Sequence, residues 1–538
     1  MSDEAAAVVE SRKELARHLE EVISTPIPTQ LQWPEDLTVP MSSGFRRTLT
    51  DAQRQDVSRL LSMKHGGNFG VPGSGKTTVA YYVWSAERAR GQVDALLVVA
   101  PLSAFEAWRD EPFDCFDSPA RPKVHLMPGL VPHDADVVVI GYPRLTQRHI
   151  MADLDRWLST RRVMVVFDES HRVKAGPSGA WGRAAAQLAH RCIRRYVLSG
   201  TPMPNTSDDL AAQFNLCWPG YGADLTSGHL RHVRDRVFVR TTKKELNLPR
   251  LTTRIERVPL EPDHRQVYDA LAGGALDILD DPALAEDVEA LGAALMRLIA
   301  AATNPAAILD AGRQLQLPVV VAGMPLEVVI RNAASILRPA KFMRAAQLVE
   351  ANAAAGKKTL IWSVFVANVK ALSELLAIHQ PAVITGATPV EDANTRTDRR
   401  RELDRFRTNA ECRVLVATPQ TLGEGVSLHH ACVDQIHVDR TFNAGLYLQS
   451  IDRTHRLGMD PGSKPTCTIL LAEDTIDMVV HESLNSKIRH MSEALNDPTL
   501  ARLQLPDLDE TLSLQDLLLD GGSSAAELRK LLRRVRGH

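Results

Sequence analysis

Residues 70–77, Gly-Val-Pro-Gly-Ser-Gly-Lys-Thr, fit the pattern GxxxxGK[ST] and lead directly into Thr-Thr-Val-Ala-Tyr-Tyr-Val-Trp, a segment with helical character. Such a loop needs a helix behind it, because its backbone N–H groups and the helix N-terminus together form a nest for phosphate oxygens. Gly70, Gly73, Ser74, Gly75 and Thr78 would line the nest, Lys76 would reach the β- and γ-phosphates of a nucleotide, and the Thr77 hydroxyl would hold magnesium. A chain that carries this loop is predicted to be α/β, with ATP and Mg2+ as cofactors.

The flanking pattern agrees. From about residue 45 to 255, short apolar runs alternate with amphipathic segments: 95–100 (ALLVVA), 137–140 (VVVI), 163–167 (VMVVF) and 196–198 (YVL). Near-continuous apolar strands separated by helices indicate a parallel sheet covered on both faces. Residues 256–340 lose the β-branched runs and read as a helical insertion. The alternation resumes at 341, with strands expected at 359–362, 382–384, 413–417, 435–438 and 466–471. The expected order is an N-terminal helix and linker (1–44), a first α/β lobe (45–255), the helical insertion (256–340), a second α/β lobe (341–500) and a tail (501–538). At 538 residues the chain has room for roughly three to four structural units, which fits.

Composition excludes more than it assigns. The chain has 63 basic and 65 acidic side chains, so it is not a globally basic nucleic-acid binder, although a local basic cleft remains compatible with that balance. Residues 229–244 carry six basic side chains against one acidic, a strip that faces nucleic acid, solvent or an inter-lobe contact. Six cysteines show no metal-ligand spacing and read as buried small hydrophobes of a reducing compartment. The N-terminal residues lack an apolar core segment and no run approaches membrane-spanning length, so a cytoplasmic protein with no membrane association is expected.

A phosphate loop needs an acidic partner at a strand end. The run 163–167 delivers Asp168-Glu169-Ser170-His171, where Asp168 would bind magnesium and Glu169 would orient and polarise the attacking water. The D-E-x-H form resembles motif II of superfamily 2 helicases and translocases. From there the likeness to the Swi/Snf family of DNA-dependent ATPases runs over roughly residues 45–480, and it implies that the two α/β lobes are tandem RecA-like lobes with parallel sheets. LLVVAPLSAFEAWRDE (96–111) resembles motif Ia, IGYPRL (140–145) motif Ib, LSGTPMPN (198–205) motif III, KTLIWSVF (358–365) motif IV, VLVATPQTLGEGVSLHHA (414–431) motif V and VDRTFNAGLYLQSIDRTHRLG (438–458) motif VI. Two departures stand out: the loop reads GVPGSGKTT rather than the family's more frequent DEMGLGKT form, and Ser170 replaces a usual Ala or Gly.

The resemblance implies roles. Gln53 would read adenine and Gln449 would join the nucleotide site. Arg453 and Arg456, three apart and so on one face if helical, would act as arginine fingers on the developing γ-phosphate charge. His171, Ser199, Gly200, Thr201 and Gly425, in motifs II, III and V, would couple hydrolysis to movement. Ser103, Tyr142, Ser363 and Thr418 would touch the nucleic-acid backbone, as short hydroxyls do without reading sequence. The implied activity is ATP-driven translocation on double-stranded DNA, with a protein partner for targeting. A strand-separating DNA or RNA helicase or the motor of a restriction-type complex is the alternative. A P-loop kinase or a structural ATP-binding scaffold is a third possibility, and neither needs a second lobe with arginine fingers.

Overall fold

The structure, a computed structural model, describes residues 3–25, 44–173, 176–203, 207–246, 248–281, 283–307, 320–321, 324–325, 338–389, 398–422, 426–456, 458–495, 497, 500 and 525–535. It divides into two units, Met1–Asn247 with Met491–Thr499, and Leu248–His490 with Leu500–His538.

The first unit is built on seven strands: β1 (His65–Asn68), β2 (Ala95–Ala100), β3 (Val124–Leu126), β4 (Val137–Gly141), β5 (Val163–Asp168), β6 (Arg194–Leu198) and β7 (Phe238–Val239). All pair in parallel, in the order β3-β4-β2-β5-β6-β1-β7. β2 and β5 are buried along their whole length, which is why both read as unbroken apolar runs. Each fully buried Val or Leu there contributes about 1.5–3 kcal/mol relative to exposure. The first helix, Asp3–Ser24, matches the expected N-terminal helix, and the expected linker lies outside the described residues.

The second unit carries β8 (Thr252–Val258), a short antiparallel pair β9 (Val320–Val321) and β10 (Met324–Pro325), then β11 (Thr359–Trp362), β12 (Ala382–Ile384), β13 (Val414–Ala417), β14 (Asp434–His437) and β15 (Thr466–Ala472). Its main sheet is again all parallel, in the order β12-β13-β11-β14-β15-β8. The expected lobe boundary at 255 therefore falls inside β8, whose seven residues pair with β15; the division lies at residue 247 instead. Helices Pro262–Asp280 and Val288–Thr303 follow β8 and so lie inside the second unit, where the sequence reading expected an insertion between the lobes at 256–340. The last helix, Ala525–Val535, packs against both of them, with Leu532 fully buried and Arg529 paired to Glu286 at 2.5 Å. All six cysteines are free and buried, as their isolation in the sequence suggested. Among the described residues no helix is long and apolar enough to cross a membrane.

Candidate functional site

In the first sheet β5, β6 and β1 are neighbours, so the loops that leave their C-terminal ends meet at one edge. The register sets them level: Asp168 of β5 lies opposite Leu198 of β6, which lies opposite Asn68 of β1. Each of the three strands then hands over to one candidate segment: 70–77 after β1, 168–171 after β5 and 199–201 after β6.

The 70–77 loop turns on glycines. Gly73 and Gly75 have φ of +82° and +84°, a left-handed conformation that glycine adopts without steric cost. Asn68 Oδ1 accepts the Gly70 N–H at 2.9 Å and shapes the loop entry. A Cβ on Gly70 would lie 2.6 Å from Ser74 Oγ, and one on Gly200 would lie 2.6 Å from the Pro72 ring, so 199–201 packs directly on the loop. Ser74 Oγ is buried without a hydrogen-bond partner, and Lys76 Nζ donates to Gly70 O at 2.8 Å across the loop mouth. An open cradle with an orphaned hydroxyl and a lysine folded over it fits a phosphate group. Thr78 is a correction: its hydroxyl donates to Glu111 Oε1 instead of facing the cradle. Thr77 is half-buried at the first turn of the helix Lys76–Ala89.

Gln53 sits where an adenine-reading residue is expected. It closes a capping box with Thr50 at the start of helix Asp51–Ser62, and its Nε2 donates to Ser74 O at 3.2 Å. Three residues on, Asp56 is buried and accepts the Thr241 hydroxyl at 2.7 Å, while Thr241 O accepts the Val71 N–H. Burial drives the Asp56 carboxyl up to about 7, against the Thr241 bond and the Lys76 charge. Sequence reasoning missed Asp56, because only the fold carries residue 241 back to the loop.

Asp168 is buried, and its carboxyl is pushed above the usual range by that burial and by the neighbouring Glu169. Trp108 Nε1 donates to Asp168 Oδ2 at 2.8 Å and opposes the shift. Glu169 has φ of +47°, a strained value for a non-glycine residue and typical of functional sites. Its Oε2 lies 3.3 Å from His171 Nδ1, which also lies 3.1 Å from Ser199 Oγ, and Ser199 Oγ accepts the Thr201 N–H. The expected coupling residues of motifs II and III thus form one chain of contacts. Two adjacent carboxylates with one lysine nearby fit a divalent cation, which Thr77 and Asp168 would hold. Trp108 and Glu111, one helical turn apart, tie their helix Phe105–Cys115 to Asp168 and to Thr78 respectively. Ser170, the family departure, is used: its hydroxyl bonds Leu198 O and Gln213 Oε1.

The expected nucleic-acid contacts fare differently. Ser103 is exposed beside Leu102 at a strand-to-helix loop. Tyr142 is buried and donates to Asp168 O at 2.8 Å, so it supports motif II from within. Ser363 is fully buried with its hydroxyl on Asp439 Oδ2 at 2.6 Å, and Thr418 is buried with its hydroxyl against Thr421. These three hydroxyls are spent inside the fold. In the strip 229–244, Arg234 bonds Glu493 O, Arg236 bonds Ile23 O and Arg240 pairs with Asp497, so half of its cations are turned inward.

In the second unit, helix Ala444–Ile451 ends before Arg453 and Arg456, which lie in the following turn and not on a shared helical face. Arg453 is buried, with Nε on Gln449 O at 3.1 Å and Nη1 on Val426 O at 2.9 Å. Arg456 is half-buried near Asp452, and burial lowers its pKa. Gln449 is buried in that helix. Gly425 lies outside the described residues, as does Asn205.

Residues 71–226 match the SNF2-related domain and residues 340–458 the helicase conserved C-terminal domain. The Bacillus subtilis protein YwqA, whose name proposes an ATP-dependent helicase/translocase, is 25% identical over 460 residues, 78% of this chain and 46% of YwqA. Protein CHROMATIN REMODELING 25 of Arabidopsis thaliana is 29% identical over 170 residues, 31% of this chain and 16% of that protein. The chain thus spans less than half the length of these curated relatives. A solved SWI2/SNF2 ATPase core of Sulfolobus solfataricus in complex with dsDNA is 18% identical, covering 88% of this chain and 97% of that chain at a TM-score of 0.37.

Proposed function

With an SNF2-related domain in one unit and a helicase C-terminal domain in the other, the chain belongs to the Swi/Snf family, and from that premise we propose that it hydrolyses ATP to move along double-stranded DNA. One observation carries the reading most: the contact chain Glu169–His171–Ser199 joins the carboxylate beside the phosphate loop to the segment that packs on that loop.

In this mechanism the loop amides and Lys76 bind the β- and γ-phosphates, and Gln53 takes the adenine edge. Thr77 and Asp168 would hold magnesium, which would supply charge neutralisation at the phosphate oxygens. Glu169 accepts a hydrogen bond from the attacking water and aligns it. His171 and Ser199 register the change in Glu169's surroundings and pass it to 199–201. Arg453 and Arg456, with Gln449 beside them, stabilise the charge that builds on the transferred phosphoryl group, and Arg453 exchanges its carbonyl partners for that task. Gly425 belongs to the coupling segment of motif V. Ser103 contacts the DNA backbone. The family resemblance supports these roles, and we propose with them a cytoplasmic setting and a protein partner for targeting.

The test is ATPase activity with duplex DNA, single-stranded DNA and RNA compared side by side, in the parent protein, Lys76→Ala and Glu169→Gln. Stimulation greatest with duplex DNA, and lost in both variants, is the expected result. Full activity in either variant overturns the mechanism, and preference for RNA or single strands moves the reading to a strand-separating helicase.

A further inference from the structure

Strands β1 and β6 begin side by side at the sheet edge opposite the phosphate loop, and His65 is the in-register partner of Arg195. Arg195 is 8% exposed. Among the described residues its guanidinium hydrogen-bonding distances are to His65, Nε to Nδ1 at 3.3 Å and Nη2 to Nε2 at 2.8 Å. Burial and the surrounding cations Arg195, Lys64 and Arg194 hold His65 well below its ordinary range, so the ring is neutral. A neutral imidazole has one acceptor nitrogen, so at most one of those two contacts is a hydrogen bond. The nearby thiols of Cys192 and Cys217 are pushed up to about 12 and are neutral as well. Arg195 thus carries a nine-tenths-buried charge with no carboxylate partner among the described residues.

Two other arginines of this unit with largely enclosed side chains have carboxylate partners. Arg194, the next residue along the same strand, meets Glu87 at 2.7 Å, and Arg240 meets Asp497 at 2.7 Å. A lone buried cation is expensive, and a site that keeps one has a use for it.

Arg195 lines a cavity of about 960 Å³ together with Arg12, Glu14, His18, Lys64 and His190. Glu14 is already paired with Lys64 at 3.0 Å, so among the described residues lining the cavity no carboxylate is left for Arg12 and Arg195. His190 is lowered by burial and then by Arg195 and Arg12, the signature of a cationic field. The volume lies in the range of small-molecule sites, and Tyr221 stands at the lining as a flat surface.

We propose that this cavity binds a small phosphate-bearing anion of mononucleotide size, with a terminal phosphate on the planar fork of Arg195 and Arg12 closing over it from the N-terminal helix. A guanidinium fork suits bidentate phosphate recognition. The site is separate from the 70–77 loop, so it is a second anion position in the same unit.

The experiment uses the full chain with Lys76→Ala, which silences the phosphate loop, and titrates inorganic pyrophosphate calorimetrically at low salt. One saturable site is expected, weakened about tenfold or more by adding Arg195→Met. Arg12→Glu, on an exposed position of the first helix, is expected to weaken it several-fold without touching the core, and it decides the matter if Arg195→Met fails to fold. Absence of binding, or equal binding in the folded variants, overturns the proposal. Displacement by a short DNA duplex at equal phosphate concentration overturns the small-molecule assignment, because the same cations would then serve a nucleic-acid backbone.

Discussion

Replacing Asp56 with asparagine will flatten the pH dependence of the first unit's stability. The carboxyl rises from 3.8 to about 7 on folding, chiefly through burial. A group whose folded pKa is raised contributes stability that is fully present below the unfolded value and is lost as pH climbs through the folded one. The window here runs from 3.8 to about 7. At about 1.4 kcal/mol per pK unit the whole span is worth about 4 kcal/mol, of which about 3 kcal/mol falls between pH 5 and pH 9. Asparagine offers the same acceptor to the Thr241 hydroxyl and has no proton to lose. At about 2–4 °C per kcal/mol for a unit of this size, the gap between the variant's melting transition and the parent's will widen by about 6–12 °C from pH 5 to pH 9. Calorimetry of the full chain across that range reads the difference directly. Parent and variant transitions that fall in parallel from pH 5 to pH 9 would refute the argument, since Asp56 would then not be the group that titrates.

Three further outcomes follow from contacts described above. Trp108→Phe removes the indole donor to Asp168 and raises the magnesium concentration for half-maximal ATPase by about 10–100-fold, as loss of a partner behind a metal ligand does; an unchanged magnesium titration rejects that role. Gln53→Ala loses the capping box, at a cost of about 1 kcal/mol, and reduces discrimination of ATP over GTP about tenfold, measured by competition binding. Retained discrimination would place adenine recognition elsewhere. Leu532→Ala weakens docking of the last helix by about 2–5 kcal/mol, so its amides should lose at least about thirtyfold of their hydrogen-exchange protection; unaltered protection would mean that Arg529 and Arg534 hold it instead.

The parts legible in the sequence are those whose chemistry is local. The interior strands β2, β5 and β13 announce themselves because burial on both faces demands unbroken apolar runs. β1 is His-Gly-Gly-Asn and lacks every strand signal, since its glycines let the Phe69 and Phe238 rings pack close. β8 alternates because it is an edge strand, and the expected boundary at 255 cuts it because its parallel pairing with β15 spans more than two hundred residues. The phosphate loop and Asp168–Glu169 are contiguous motifs and stood out. The Trp108–Asp168 bond joins residues 60 apart, which no spacing rule reveals. Tyr142 and Ser363 were misplaced for a converse reason: a hydroxyl beside a motif looks available until its internal acceptor is known.

The ion pair between Arg240 and Asp497 has a bearing on how the chain is made. Its partners are 257 residues apart, and both are nearly inaccessible in the finished unit. A ribosome adding about 5–20 residues per second needs roughly 13–50 s to travel that distance. For that interval the sheet of the first unit is already synthesised while the Arg240 guanidinium, beside Phe69 O and Gly200 O, waits for the Asp497 carboxylate. The nascent first unit therefore lacks this pair, beside the 70–77 loop, until residue 497 has been made.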